Sequence, residues 1–170
     1  MRLASILILV CCLVACSSPT PVTEIDAAPL VYQDGDLLAG YRPGPSLPRK
    51  PLALDATPSA TPVATLTFKR SGIDIGMATV LVYDSNAKAE QAFAVVRDGF
   101  KGAAIADLGD QAAGATWEAV VTKELVEVHD LVVLRCRSVT HMRFMSEHMG
   151  MNGMQPYAKK IDERIQRLGC

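Results

Sequence analysis

Nine of the ten prolines lie between Pro19 and Pro62, and this distribution confines regular structure more than any other feature of the chain. Proline lacks the amide hydrogen that a helix interior or a central strand needs. Regular elements are therefore expected from about residue 63 onward. The 170 residues divide into four parts: an apolar leader at 1–15, a Pro/Ser-rich tether at 16–28, an irregular Pro-rich segment at 29–62, and a globular domain at 63–170. Val31-Tyr32 and Leu37-Leu38-Ala39-Gly40-Tyr41 give the third part apolar and aromatic groups that a pure linker would lack, so it is expected to pack partly on the domain.

Within the domain, residues 64–70 alternate, with Leu66 and Phe68 on one face and Thr65, Thr67 and Lys69 on the other. Period two marks a half-buried strand. Residues 71–76 form a turn or bulged connection to a second strand at 78–83. Asp84-Ser85-Asn86 offers N-caps to a helix whose Ala89, Ala92, Phe93, Val96 and Phe100 share one face. Gly99 and Gly102 stop it. Beyond the Gly109-Asp110-Gln111-Ala112 turn, residues 116–121, 125–128 and 131–139 read as a meander, with His129-Asp130 as a tight turn. Leu131-Val132-Val133-Leu134 is continuously apolar, as a central strand covered on both faces would be. Pro156 opens a last helix, with Ala158, Ile161, Ile165 and Leu168 in one stripe and Gly169 behind it. The order strands, helix, strands, helix predicts an α+β domain: an antiparallel sheet of about five strands with two helices packed on one face.

Arg2 supplies a positive start, and residues 3–14 are almost wholly apolar. A dozen residues fall short of the roughly 20 that span a bilayer, and fit the hydrophobic region of a secretory signal. The run ends in Leu13-Val14-Ala15-Cys16, followed by Ser17-Ser18-Pro19-Thr20-Pro21. This pattern resembles the lipobox of bacterial lipoprotein precursors. The resemblance implies cleavage before Cys16, lipid on its thiol, and export with anchoring to the cell envelope through membrane lipid. Ser17 after the cysteine, in place of Asp, favours the outer membrane where the organism has two. Two or three acyl chains anchor stably where one would be marginal. The Gly-Asp-Gln-Ala turn, the strand pair after it, and a final helix with Ala158, Ile161, Asp162 and Arg164 are similar to small envelope lipoproteins of undefined role, over residues 64–168. The tether would reach about 35–40 Å at its longest, at about 3.1 Å per residue.

Cleavage before Cys16 removes Arg2 with the leader and leaves 16 basic residues against 18 acidic ones. Such a chain carries no electrostatic footprint for nucleic acid and no polybasic block for a lipid surface. It also sorts the five cysteines. Cys11 and Cys12 leave with the leader and Cys16 is acylated, so Cys136 and Cys170 remain. Two cysteines in an oxidising compartment are expected to pair; the alternative is a buried Cys136 with a free Cys170.

Chemistry could concentrate between His141 and Met154, which hold five of the seven methionines and two of the three histidines. Soft thioether and imidazole ligands suit Cu(I) or Ag(I). His141, Met145, His148, Met149, Met151 and Met154 are the candidate ligands. The stronger reading of the same residues is packing or partner contact, because methionine fills irregular gaps and adaptable surfaces. Asp34-Gly35-Asp36 begins like a calcium loop, but its twelfth position is Pro45 rather than Glu, and it reads as a surface turn. His129 reads as a solvated turn residue, and Asp107 and Asp110 as flanks of a turn. No Gly-x-Ser-x-Gly elbow, His-Glu-x-x-His helix or phosphate loop is present. The leading expectation is a non-catalytic, lipid-anchored envelope domain, without a cofactor, that binds another envelope protein, a cell-wall component or a small ligand. A periplasmic soft-metal lipoprotein is second. A hydrolase whose residues meet only in three dimensions is third.

Overall fold

The computed structural model describes residues 28–36, 41–46, 63–71, 73–121, 123–145 and 149–169. The leader, Cys16, the tether before Ala28, His148 and Cys170 lie outside the described residues. In chain order the elements are α1 (Ala28–Val31), β1 (Tyr41–Ser46), β2 (Val63–Arg70), β3 (Ile73–Val82), α2 (Asn86–Gly99), β4 (Ala103–Ala104), β5 (Gln111–Val121), β6 (Glu124–Arg135), β7 (Ser138–Met145) and α3 (Met151–Arg167). The strands form one seven-stranded antiparallel sheet, ordered β1-β2-β3-β7-β6-β5-β4.

Alternation along each strand sends its side chains to two faces. On one face Ala78, Val80, Leu131, Val133, Met142 and Phe144 pack with Met154, Tyr157, Ala158, Ile161 and Ile165 of α3, and with Leu30 and Val31 of α1. On the other, Leu81, Val132, Leu134 and Val139 pack with Ala89, Ala92, Phe93 and Val96 of α2. This corrects the expected fold. Among the described residues the fold is mostly β, with seven strands and three helices, and α2 and α3 lie on opposite faces of the sheet. The Leu131–Leu134 run is the cause: its four apolar residues alternate between two cores, and each core needs its own cover.

The strand count rose for local reasons. β5 begins at Gln111, because Ala112 and Ala113 are buried on opposite faces. β1 forms despite Pro43 and Pro45, at the sheet's edge, and its register against β2 shifts between Pro43 and Ser46. An edge or an irregularity is where a strand tolerates proline. His129-Asp130 is no turn: both residues are buried in the middle of β6. The chain reverses beside Lys123, at φ 74°, in the gap expected between residues 121 and 125, and then at Cys136, at φ 52°, within the stretch expected to be one strand. No glycine or Asn-Gly pair marks either reversal. Pro156 lies inside α3, which starts earlier, behind Gly150 as N-cap.

Two clasps fasten the outlying segments to this sheet. The Tyr157 hydroxyl donates to the Val31 carbonyl, and Arg164 donates to the Leu30 carbonyl and the Asp36 carboxylate. Burial, with Asp36 nearby, pushes the Tyr157 hydroxyl well above its usual pKa. The Asp34-Gly35-Asp36 turn thus gives a carboxylate to α3. Arg135 on β6 donates at 2.7 Å to both oxygens of Asp162, which lies between Tyr157 and Arg164 on α3, and, outside the helix, to Asp110 at 2.8 Å. The Asp162 hydrogen bond raises the Arg135 pKa further. Asp110 also accepts the Cys136 amide at 2.6 Å, so it serves the β6–β7 turn. Gly169 borders the same small cleft as Cys136, Ser138 and Ile165.

Candidate functional site

α2 covers only part of its face. Its C-terminal Phe100 ring lies parallel to His141, 6.1 Å away with planes 9° apart. Beyond that ring, β5, β6 and β7 place Trp117, Asp130, His141 and Arg143 side by side. Asp130 is fully buried and is the hub. Its Oδ1 accepts from His141 Nε2 at 2.9 Å and Arg143 Nε at 2.8 Å. Its Oδ2 accepts from Trp117 Nε1 at 2.7 Å and Arg143 Nη2 at 3.1 Å. The Arg143 guanidinium also lies 5.4 Å from the centre of the Trp117 ring, a cation–π contact.

Burial pushes the Asp130 carboxyl up, but the hydrogen bonds and charges of His141 and Arg143 outweigh it and hold the group at about 2. The carboxylate is therefore ionised, and its four acceptor positions are filled. It has no capacity left to act as a base. His141 is buried, and its Nδ1 has no hydrogen-bond partner among the described residues. Thr79 stands across from His141 in the β3–β7 ladder, but its hydroxyl is engaged with Thr65 at 3.0 Å. The Asp–His pair therefore lacks the bonded nucleophile that a hydrolytic triad requires. What the cluster does physically is lock Trp117. The indole is fixed at its nitrogen and over its face, while the ring stays 39% exposed.

Trp117 lies at the root of a projecting hairpin. β6 pairs with β7 only from Val128 onward, whereas β5 and β6 continue pairing to Val121 and Glu124. On this projection Val120 is 73% exposed and Leu125, directly opposite it, is 64% exposed. On the same face Thr116 Oγ1 and His129 Nδ1 are 2.7 Å apart, and His129 Nε2 is 3.2 Å from Glu127. His129 is thus an engaged, buried residue.

Among the described residues, the expected metal ligands fall into separate surroundings. His141 faces the α2 side, where it serves Asp130. Met149 and Met154 are buried in the core under α3, and Met151 packs against that core. Met145 ends β7, half-buried, and His148 lies outside the described residues. Among the described residues no group of three or more His, Cys, Asp or Glu could hold a metal ion. No protein-family model, curated protein or solved structure matches the chain. The sequence reading missed Trp117, Asp130 and Arg143 as a set. The one signal available was an Asp, a His and an Arg amid strongly β-forming runs, where a charge must find a partner if it is buried.

Proposed function

We propose that the chain is a lipid-anchored bacterial envelope protein whose folded domain is a non-catalytic binding module. The anchor rests on sequence: the apolar run at 3–14, the Leu13-Val14-Ala15-Cys16 pattern, and Ser17 behind it. Among the described residues no helix is long and apolar enough to cross a membrane. The observation that carries the binding reading is the projecting β5–β6 hairpin, with Trp117, Val120 and Leu125 exposed and Trp117 held rigid from beneath. Trp117 on one face of the hairpin is a pre-set aromatic anchor, since ordering it costs little on binding, and Val120 and Leu125 offer apolar contact on the opposite face.

Fractionation of cells expressing the wild type and Cys16→Ala tests the anchor. The wild type should sediment with membranes and carry acyl mass on the peptide that starts at Cys16. The variant should move to the soluble fraction. A wild type without acyl mass, or a variant that stays with the membrane, sinks this reading.

A further inference from the structure

The two edges of the sheet are unlike. β1 is protected by Pro43, Pro45 and a shifted register, devices that block strand addition. β4 covers β5 only at Ala113 and Gly114. From Ala115 to Val121 no strand among the described residues pairs with the outer side of β5. This stretch, Ala-Thr-Trp-Glu-Ala-Val-Val, contains no proline, glycine or lysine.

The geometry also says which backbone groups are on offer. The Ile105 amide donates to the Ala112 carbonyl at 2.9 Å, so Ala112 points outward. In an antiparallel strand, residues of one parity turn both backbone groups the same way. Thr116, Glu118 and Val120 therefore direct N–H and C=O to the open side, while Ala115, Trp117 and Ala119 bond to β6. Glu118 stands directly opposite Glu127 and has no ion-pair partner among the described residues, since Glu127 is beside His129. Like charges directly opposite are unfavourable.

We propose that the outer edge of β5 takes an extended segment of another envelope protein by strand addition, with a Lys or Arg set beside Glu118 and an apolar residue beside Val120. This rests on the binding-module reading above. Main-chain bonds to Thr116, Glu118 and Val120 supply affinity, and the alternating side chains supply selectivity. A second copy of this chain fits less well: the two-fold register that overlaps the whole edge sets Glu118 against Glu118.

Amide exchange in the ¹⁵N-labelled full chain in detergent micelles tests this. The probes are two blocked peptides of alternating Val and Thr, one with a central Lys and one with a central Glu. The Lys peptide should slow exchange at Thr116, Glu118 and Val120 by about tenfold or more, and leave Ala115, Trp117 and Ala119 unchanged. Glu118→Lys should swap the preference to the Glu peptide. Val120→Pro removes an outward amide without touching the β5–β6 ladder, and should abolish the effect while Trp117 fluorescence stays native. No slowing by either peptide, an equal response to both, or undiminished slowing in Val120→Pro overturns the proposal. Protection that grows with protein concentration and needs no peptide also overturns it, in favour of self-pairing. The anchor is read separately: release of Cys16→Ala with unprotected edge amides removes strand addition and keeps the anchored reading.

Discussion

Asp130 shows what one buried carboxylate contributes. It is fully enclosed and faces three donors, so breaking the set leaves Arg143 and His141 uncompensated. Asp130→Asn should cost about 3 kcal/mol at neutral pH, as for other broken buried pairs. The pH dependence has a definite sign. The folded carboxyl is depressed to about 2, so its stabilisation is complete above the usual aspartate value near ~3.9. It is lost as pH falls through that window. The loss is roughly 2 kcal/mol, at about 1.4 kcal/mol per pKa unit. Urea unfolding followed by Trp117, the one tryptophan, should show a wild-type acid limb that Asp130→Asn lacks. Parallel acid limbs in the two proteins would rule out this assignment. Beyond the presence of charged residues amid β-forming runs, little of this was legible along the chain. Asp130 beside His129 reads locally as a turn, and its partners are 11 and 13 residues away on neighbouring strands.

At the scale of elements, the sequence was readable where periodicity is long and caps are local. The α2 face of Ala89, Ala92, Phe93 and Val96 is buried as its spacing predicts, and the Ser85 side chain caps the helix by accepting from the Lys88 amide. The β2 alternation holds at Phe68, which lies in the core under α3. Turns were unevenly legible: the reversal at Lys123 falls in the expected gap between residues 121 and 125, whereas the one at Cys136 was missed, because a left-handed position is usually given to Gly or Asn. The end of α3 carries its own prediction. Its last turn lies over the β6–β7 turn, with Gly169 lining one cleft with Cys136. Cys170 is the next residue, and we propose it as the partner of Cys136. A non-reducing peptide map should give a linked Cys136–Cys170 pair. Reduction should lower stability by roughly 3–4 kcal/mol through the loop-closure entropy returned to the unfolded chain. Recovery of a free Cys136, or of Cys136 linked to any other cysteine, would refute the pairing.

At the scale of the molecule, the decisive fact is that one sheet separates two cores. Both helices were foreseen, and the run Leu131-Val132-Val133-Leu134 already asked for cover on both faces. Yet α2 and α3 were assigned to the same side, because helix order along a chain does not reveal which face a connection reaches. The separation has an energetic consequence. Phe93 of α2 is 3% exposed among residues such as Val132 and Leu134, and Ile161 of α3 is 0% exposed among Leu131 and Val133. Phe93→Ala and Ile161→Ala should each destabilise by about 3–4 kcal/mol, the usual range for such truncations. Had both helices shared one face, the two cavities would lie in one core and could couple. Across the sheet they share no partner, so the double variant should lose the sum of the two to within about 0.5 kcal/mol. To keep that double variant folded enough to measure, the cycle is best run with Ile161→Val, which removes about 1 kcal/mol. A coupling energy well above about 0.5 kcal/mol in urea unfolding would mean that the faces are not independent, and the two-core description would fail.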